Sequence, residues 1–416
     1  MSTKLCFERV LPALILILGM ALLSSTRSAF CQQTVNPPAP NSVSSGNNQF
    51  AFDLFHHIAS GEKNANVFFS PVSISTALAM AYAGSQGETR KQMAQVLHFA
   101  GSQQEVAGGF HSLMQSLRAP ANHAYQLSVA NALWAQKDTR FTAEFTSLMS
   151  TYFAGEFNTV NFADSEQSLA TINHWVAEKT AGKIPQLLQP GDIMALTRLV
   201  LTNAVYFKGD WTTPFLETAT KPEAFTCGDG ANQQVPMMHR TGQFNYAQAG
   251  ELQVLELPYK GNQLSMIVLL PRAGATAQWP EFTAEKLQQL RAQMKSTRVD
   301  LSLPRFKVEA RLSLARTLSA MGMPEAFTAR EADFSGITGK NDWYISAVIH
   351  DAVIDVNEKG TEAAAATGAV MSFAAMMPQK PVIFRADHPF VYLIVHKPSG
   401  AILFLGRLSN PPASGQ

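Results

Sequence analysis

The sequence predicts an α+β protein, on three observations. Ser70-Pro71 opens an almost wholly apolar run that stops at Gly84. Leu199 to Phe207 is a continuous apolar run broken only by Thr202 and Asn203. Val391 to His396 and Ala401 to Gly406 are two more apolar runs, joined through Pro398-Ser399-Gly400. The first run reads as a helix, because Ser is a favoured N-cap and Pro suits the first helical position. A helix that is apolar all round belongs at the centre of a protein. The second run reads as a strand covered on both faces, and the third pair as a hairpin.

From the N-terminus, Lys4 and Arg9 precede the apolar run Val10 to Leu23, and Ser24 to Ala29 follow it. This pattern predicts a secretory signal peptide over residues 1–29, and the run is short for a membrane span. Cys31 invites a lipid-anchor reading, but the bulky Phe30 stands where such signals want a small residue. Removal of the signal takes Cys6 with it, leaving Cys31 and Cys227, too few for a disulfide framework or a thiolate metal site. Residues 30–48, with Pro37, Pro38, Pro40 and several Ser and Asn, read as a disordered polar spacer, so the folded part is expected near Gln49. Phe50, Leu54, Phe55 and Ile58 mark the stripe of a first helix, with His56 and His57 on its flank rather than in a metal site.

Past Gly84, Gly87 to Phe99 has the spacing of an amphipathic helix with Met93, Val96 and Leu97 inward. Leu127 to Trp134 reads as a strand. Asn173-x-Trp175-Val176 followed by Thr180-x-Gly182-Lys183 has helical spacing with a glycine stop. Pro236-Met237-Met238, Leu257-Pro258-Tyr259 and Leu264 to Pro271 mark strands and hairpins. The charge is nearly balanced, 32 Lys plus Arg against 31 Asp plus Glu, which argues against a nucleic-acid partner. Ser70, Ser73, His350 and Asp351 suggest a hydrolytic triad only superficially, since no Gly-x-Ser-x-Gly elbow surrounds either serine. Metalloprotease helices, phosphate loops and paired cysteines at metal spacing are missing too, so no enzyme, metal or cofactor is expected.

The segment Glu358 to Pro381 has no charged side chain from Ala363 to Gln379, and its first half is mostly Ala, Thr and Gly. Two readings compete. Alanine's helix propensity favours a packed helix. Alternatively, Ile345 to Val356 is a buried strand that leaves its sheet at Gly360. At period two, Thr361, Ala363, Ala365, Thr367 and Ala369 then share one face of small residues, able to slide between two strands.

Glu358-Lys359-Gly360-Thr361-Glu362, followed by Ala363, Ala364, Ala365 and Ala366, resembles the hinge of the reactive-centre loop in inhibitory serpins. Asn66 to Ser73, Leu127 to Asn131, Lys208-Gly209-x-Trp211, Leu303-Pro304-Arg305-Phe306, Asp333 to Gly336 and Phe384 to Phe390 resemble further motifs of that family in the same order. Length alone points to two domains. The resemblance instead implies the serpin fold as one large domain over residues 49–411, followed by a tail at 412–416. It has a main mixed β-sheet, two further sheets, about eight to nine helices and an exposed loop at 358–381.

The resemblance also implies a function: a monomeric inhibitor that traps a target serine protease as a covalent complex, with no catalytic residues of its own. Ser70, Ser73, Asn203 and His350 fall at the positions of the polar shutter cluster beneath the main sheet, where buried polar groups need partners. At the usual spacing from the hinge glutamate the cleaved bond is Ala374-Ala375, implying an elastase-like target. A register one residue shorter makes Phe373 the recognised residue and implies a chymotrypsin-like one. Residues 101–124 hold a single Lys or Arg, Arg118, so no glycosaminoglycan site is expected there. A non-inhibitory serpin, acting as chaperone or carrier, is the other reading; bulky or charged residues in place of the small hinge residues Thr361 and Ala363 to Ala366 would favour it, and none is present.

Overall fold

The computed structural model describes residues 40–62, 64–118, 125–273, 282–361 and 380–412, with side chains from Val43 onward. The expected signal peptide, Cys31, Glu362 to Ala366, Phe373, Ala374 and Ala375 lie outside the described residues. The described residues form one compact unit, against the two domains suggested by length.

The described helices are α1 (Pro40–Gly61), α2 (Pro71–Tyr82), α3 (Gly87–Val96), α4 (Gln103–Ser116), α5 (Ala143–Tyr152), α6 (Ser165–Lys179), α7 (Ala284–Gln293), α8 (Ala315–Ala320) and α9 (Ser335–Thr338). The strands are β1 (Val67–Phe69), β2 (Tyr125–Gln136), β3 (Phe157–Val160), β4 (Leu199–Asp210), β5 (Lys221–Thr226), β6 (Asn232–Ala249), β7 (Leu252–Pro258) and β8 (Leu264–Pro271). They continue with β9 (Lys295–Pro304), β10 (Phe306–Ser313), β11 (Ile345–Val356), β12 (Gly360–Thr361), β13 (Val382–Arg385), β14 (Phe390–His396) and β15 (Ile402–Leu408).

Ser70 caps α2 by accepting from the Ser73 amide, Pro71 takes the first turn, and every residue of the helix is buried, as its sequence requires. Past the helix end, Gly84 is held by packing, since a Cβ there would meet Ile337 at 2.2 Å. The main sheet is six-stranded and mixed, in the order β10-β11-β12-β4-β2-β3. Its back face packs on the two large apolar clusters that include α2, and its front face on a third, built from Ile172 and Val176 of α6 with Ala130, Ala204 and Ile349 of the strands. Coverage on both faces explains the apolar run of β4, broken only by Thr202 and Asn203.

Two expectations need correction. Instead of two further sheets, the described residues form one, along the path β1-β15-β14-β8-β7-β6-β9-β13 with β5 on β6. The cause is β6, 18 residues long, which pairs with β5 from Asn232 to Met237, with β9 from Met237 to Tyr246 and with β7 from Asn245 to Ala249. One strand thereby serves two sets of neighbours.

The second correction is the start of the fold. Residues 40–48 are the first turns of α1, not spacer. Ser44 and Asn47 are buried, Asn47 Nδ2 donates to the Ile402 carbonyl at 3.2 Å, and Asn48 bonds to Gly400 O at 2.9 Å and the Ile402 amide at 2.8 Å. Polar composition misled here because these side chains cap backbone groups at the start of β15 instead of facing water. A chain beginning at Gln49 is expected to lose about 3 kcal/mol against one beginning at Pro40, one net hydrogen bond each for three lost. Urea unfolding of the two lengths checks this.

Candidate functional site

Strands β4 and β11 run parallel and pair directly from Ile345–Leu199 to Val353–Tyr206. Beyond that point they part, and β12 lies between them. Thr361 pairs antiparallel with Val356 of β11 and with Gly209 of β4, and Gly360 pairs with Asp210. The sheet therefore has a seam that is closed along most of its length and opened at one end by two residues of the expected hinge.

The wedge is held on all sides. Thr361 is fully buried, and its hydroxyl lies 2.8 Å from the Tyr259 hydroxyl. Trp211 stacks on Tyr259 with ring centroids 4.5 Å apart. The Trp211 amide donates to Lys359 O at 2.8 Å, the Phe215 amide to Glu358 O at 2.7 Å, and the Trp211 indole to Asn357 O at 3.0 Å. Glu358 is 6% exposed; its carboxylate accepts from Thr220 Oγ1 at 2.8 Å and lies 3.9 Å from the Arg305 guanidinium. Gly360 has no substitute: a Cβ there would sit 2.1 Å from the Gly209 carbonyl oxygen.

Deeper in the seam, the four expected shutter residues come together, all fully buried. Asn203 of β4 is directly opposite His350 of β11 on one side and Asn131 of β2 on the other. The Ser70 amide donates to His350 Nε2 at 3.1 Å, and the Ser73 hydroxyl donates to Asn131 Oδ1. Because Nε2 accepts, the neutral ring carries its proton on Nδ1, and that atom has no partner among the described residues. Both side-chain polar atoms of Asn203 and the amide nitrogen of Asn131 also lack one.

The expected bonded cluster is thus only half bonded, and its centre, Asn203, is bonded to neither neighbour. Sequence reasoning missed Asn131, Tyr259, Trp211 and Arg305 as parts of the site. A strand alternation that puts Asn131 on the core face carried the one usable signal.

Among the described residues no group of three or more His, Cys, Asp or Glu is placed to hold a metal, and no helix is long and apolar enough to cross a membrane. Fold and site define a two-sheet α+β protein whose mixed sheet carries the start of an extra strand at one end of a seam. A sequence profile for the serpin (serine protease inhibitor) family matches residues 45–411. Leukocyte elastase inhibitor of Bos taurus is 42% identical over 383 residues, 89% of this chain and 99% of its own. An uncharacterized serpin-like protein of Thermococcus kodakarensis is 39% identical over 392 residues, 94% of this chain and 89% of its own. The solved structure of uncleaved ovalbumin is similar with a TM-score of 0.79 at 30% identity, over 89% of this chain and 100% of its own. The chain belongs to the serpin (serine protease inhibitor) family, whose members are not catalytic enzymes.

Burial pushes the His350 pKa down to about 3. The native ring therefore stays neutral at pH values where the unfolded chain, with an ordinary histidine, takes up a proton. Stability from this residue is complete above about pH 6.5 and is lost as pH falls from there toward about 3, at up to about 1.4 kcal/mol per pH unit. His350→Gln is expected to flatten the fall in urea-unfolding midpoint between pH 6.5 and 4.5 by that slope. Parallel profiles of wild type and variant would contradict the assignment.

Proposed function

We propose that this chain inhibits a serine protease as a suicide substrate, with the reactive-centre loop at 358–381 as bait and the seam between β4 and β11 as its destination. The protease nucleophile attacks a peptide bond of the loop, the amine of the leaving peptide takes a proton, and an acyl-enzyme forms. The freed N-terminal part of the loop then inserts as a new strand between β11 and β4 and carries the attached protease along. Distortion of the trapped enzyme removes the oxyanion-hole geometry that deacylation needs. Glu358 to Ala366 serve as hinge, and Ser70, Ser73, Asn203 and His350 as shutter.

The observation that carries this reading is the register of β12. Continuing its antiparallel pairing brings Thr367 opposite His350 on β11 and opposite Asn203 on β4, on the same core face as Thr361. A threonine hydroxyl both donates and accepts. It would thus meet the unpartnered His350 Nδ1 hydrogen and the unpartnered Asn203 amide at the one level of the seam where polar atoms lack partners. Between Thr361 and Thr367 the same face offers only Ala363 and Ala365. The inserted strand also gains main-chain pairing along both edges.

The target is an elastase-like protease and the bond Ala374-Ala375, with Phe373 and a chymotrypsin-like target as the alternative register. The resemblance to leukocyte elastase inhibitor supports the first. Signal-peptide features at residues 1–29 support secretion of the inhibitor, and the serpin resemblance supports a monomer; mass analysis of the mature N-terminus tests the cleavage. Incubation with elastase is expected to give an SDS-stable complex and a released C-terminal peptide that begins at Ala375. A peptide beginning at Ala374 moves the reactive bond to Phe373, and the absence of any stable complex removes the inhibitory reading.

Thr361→Arg tests the insertion step separately. The substitution puts a cation where the hydroxyl is fully buried beside Tyr259, costing several kcal/mol unless the chain stays out of the sheet. The loop tip is untouched, so acylation proceeds while deacylation outruns insertion. The variant is expected to be cleaved at the same bond as a substrate with no complex accumulating. Glu362→Arg, one residue out of phase and facing solvent by alternation, retains inhibition. Wild-type stoichiometry in Thr361→Arg would disprove insertion from this hinge.

A further inference from the structure

The connection from α6 to β4 crosses the front of the seam as a strap. Near its start, Lys183 lies over the Tyr206 ring of β4, 5.2 Å from the centroid, and Thr180 Oγ1 accepts from the Ile184 amide at 3.2 Å. At its middle, Asn173 of α6 grips the backbone: its Oδ1 accepts from the Leu187 and Leu188 amides at 3.0 and 2.8 Å, and its Nδ2 donates to Leu188 O at 2.9 Å. α6 itself packs on β2, with Trp175 edge-on to Trp134 at 5.5 Å. Leu187 is held from the other side by Arg311 of β10. The guanidinium Nε donates to Leu187 O at 2.9 Å, and its second arm pairs with the Asp192 carboxylate further along the strap. Asp351, directly opposite Arg311 on β11, is the other carboxylate beside it.

The backbone at Leu187 and Leu188 is therefore tied to both halves of the sheet, through Asn173 to the β2–β4 side and through Arg311 to the β10–β11 side. A strand inserted between β4 and β11 moves those halves apart by roughly 4.8 Å, one strand spacing. Hydrogen bonds under about 3.2 Å on both sides cannot survive that displacement together. Asn173 makes three bonds within a buried site, whereas Arg311 is partly exposed and can exchange its bonds for water. The release falls on Arg311.

We propose that Arg311 is a latch on this strap, holding the seam shut until the loop is cut and setting the rate at which the sheet opens. The proposal rests on the insertion reading given above. Arg311 is a positioning residue, since its bonds run to the strap, at Leu187 and Asp192. Its loss raises the ground state of the closed sheet without altering the inserted form, in which the latch is already undone.

The test compares wild type, Arg311→Gln and Arg311→Lys, each uncleaved and after limited proteolysis in the loop. Arg311→Gln is expected to lower the melting temperature of the uncleaved protein while leaving that of the cleaved form unchanged. It is also expected to shorten the half-life of inhibitory activity on warming about tenfold, the effect of one net charged hydrogen bond. Arg311→Lys, which keeps a charge for Asp192 but loses the fixed fork, falls between the two. If Arg311→Gln folds poorly, Asp192→Asn, which leaves the bond to Leu187 in place, is expected to give the same shifts at smaller size. Equal losses in the cleaved and uncleaved forms, or an unchanged half-life, overturn the latch. Failure of wild type to gain stability on cleavage would instead overturn the insertion reading, and the latch with it.

Discussion

The parallel pairing of β4 and β11 is the contact on which the rest of the structure depends. Parallel ladders are somewhat weaker per residue than antiparallel ones, and these two strands have antiparallel partners on their outer sides, β2 and β10. Both faces of the pair are buried, so the strands cannot separate into water without exposing apolar surface. They can separate around another strand. β12 already occupies that position at one end, with Gly360 and Gly209 giving the backbones room to approach.

In the closed seam, polar atoms lack partners among the described residues where burial is complete. An unpartnered buried amide or ring N–H costs of the order of 1 to 3 kcal/mol, and Asn203 and His350 contribute three such atoms between them. Replacing both residues by apolar ones would relieve that cost in the closed sheet and erase the preference for a polar newcomer. On the proposed route the present arrangement does the reverse, placing the penalty on the closed state, where an inserted hydroxyl would remove it. Ser70 ties this arrangement to α2, because one residue supplies both the helix cap and the amide that fixes the His350 tautomer. That double use explains why a strong N-cap signal stands next to the chemistry of the seam.

Much of this was legible in the sequence. α2 announced itself through Ser70-Pro71, β4 through its apolar run, and the inward face of Thr361 through period-two alternation; each signal is local, carried by residues adjacent in the chain. What escaped depends on partners far away. The polar start of α1 looks like spacer until β15 supplies the backbone that Asn47 and Asn48 bond. Tyr259 is an ordinary core aromatic until Thr361 is placed beside it, and β6 looks like separate short strands because its two sets of neighbours are distant in sequence. The four expected shutter positions came from family resemblance, which gave no sign that the Asn203 side chain would lack a partner among the described residues.

On the proposed route, wedge, outer tie of the strap and shutter follow one another along the seam, and their order matters. Extending the register of β12 places Ala363 and Ala365 in the first stretch, Ala366 level with Asp351, and Thr367 level with His350. Arg311 is paired with Asp351, so the strap's outer tie lies just where the advancing chain stops being exclusively small and reaches the polar atoms. The first residues can therefore enter by widening only the end of the seam that β12 already holds open. Further advance requires the two halves to move apart beneath the strap, and the polar compensation at Thr367 becomes available at that same point. An uncut loop, tethered beyond residue 380 by the pairing of β13 with β9, has limited slack to reach that level. Cleavage removes the tether, and the step that breaks the outer tie then coincides with the one that satisfies Asn203 and His350.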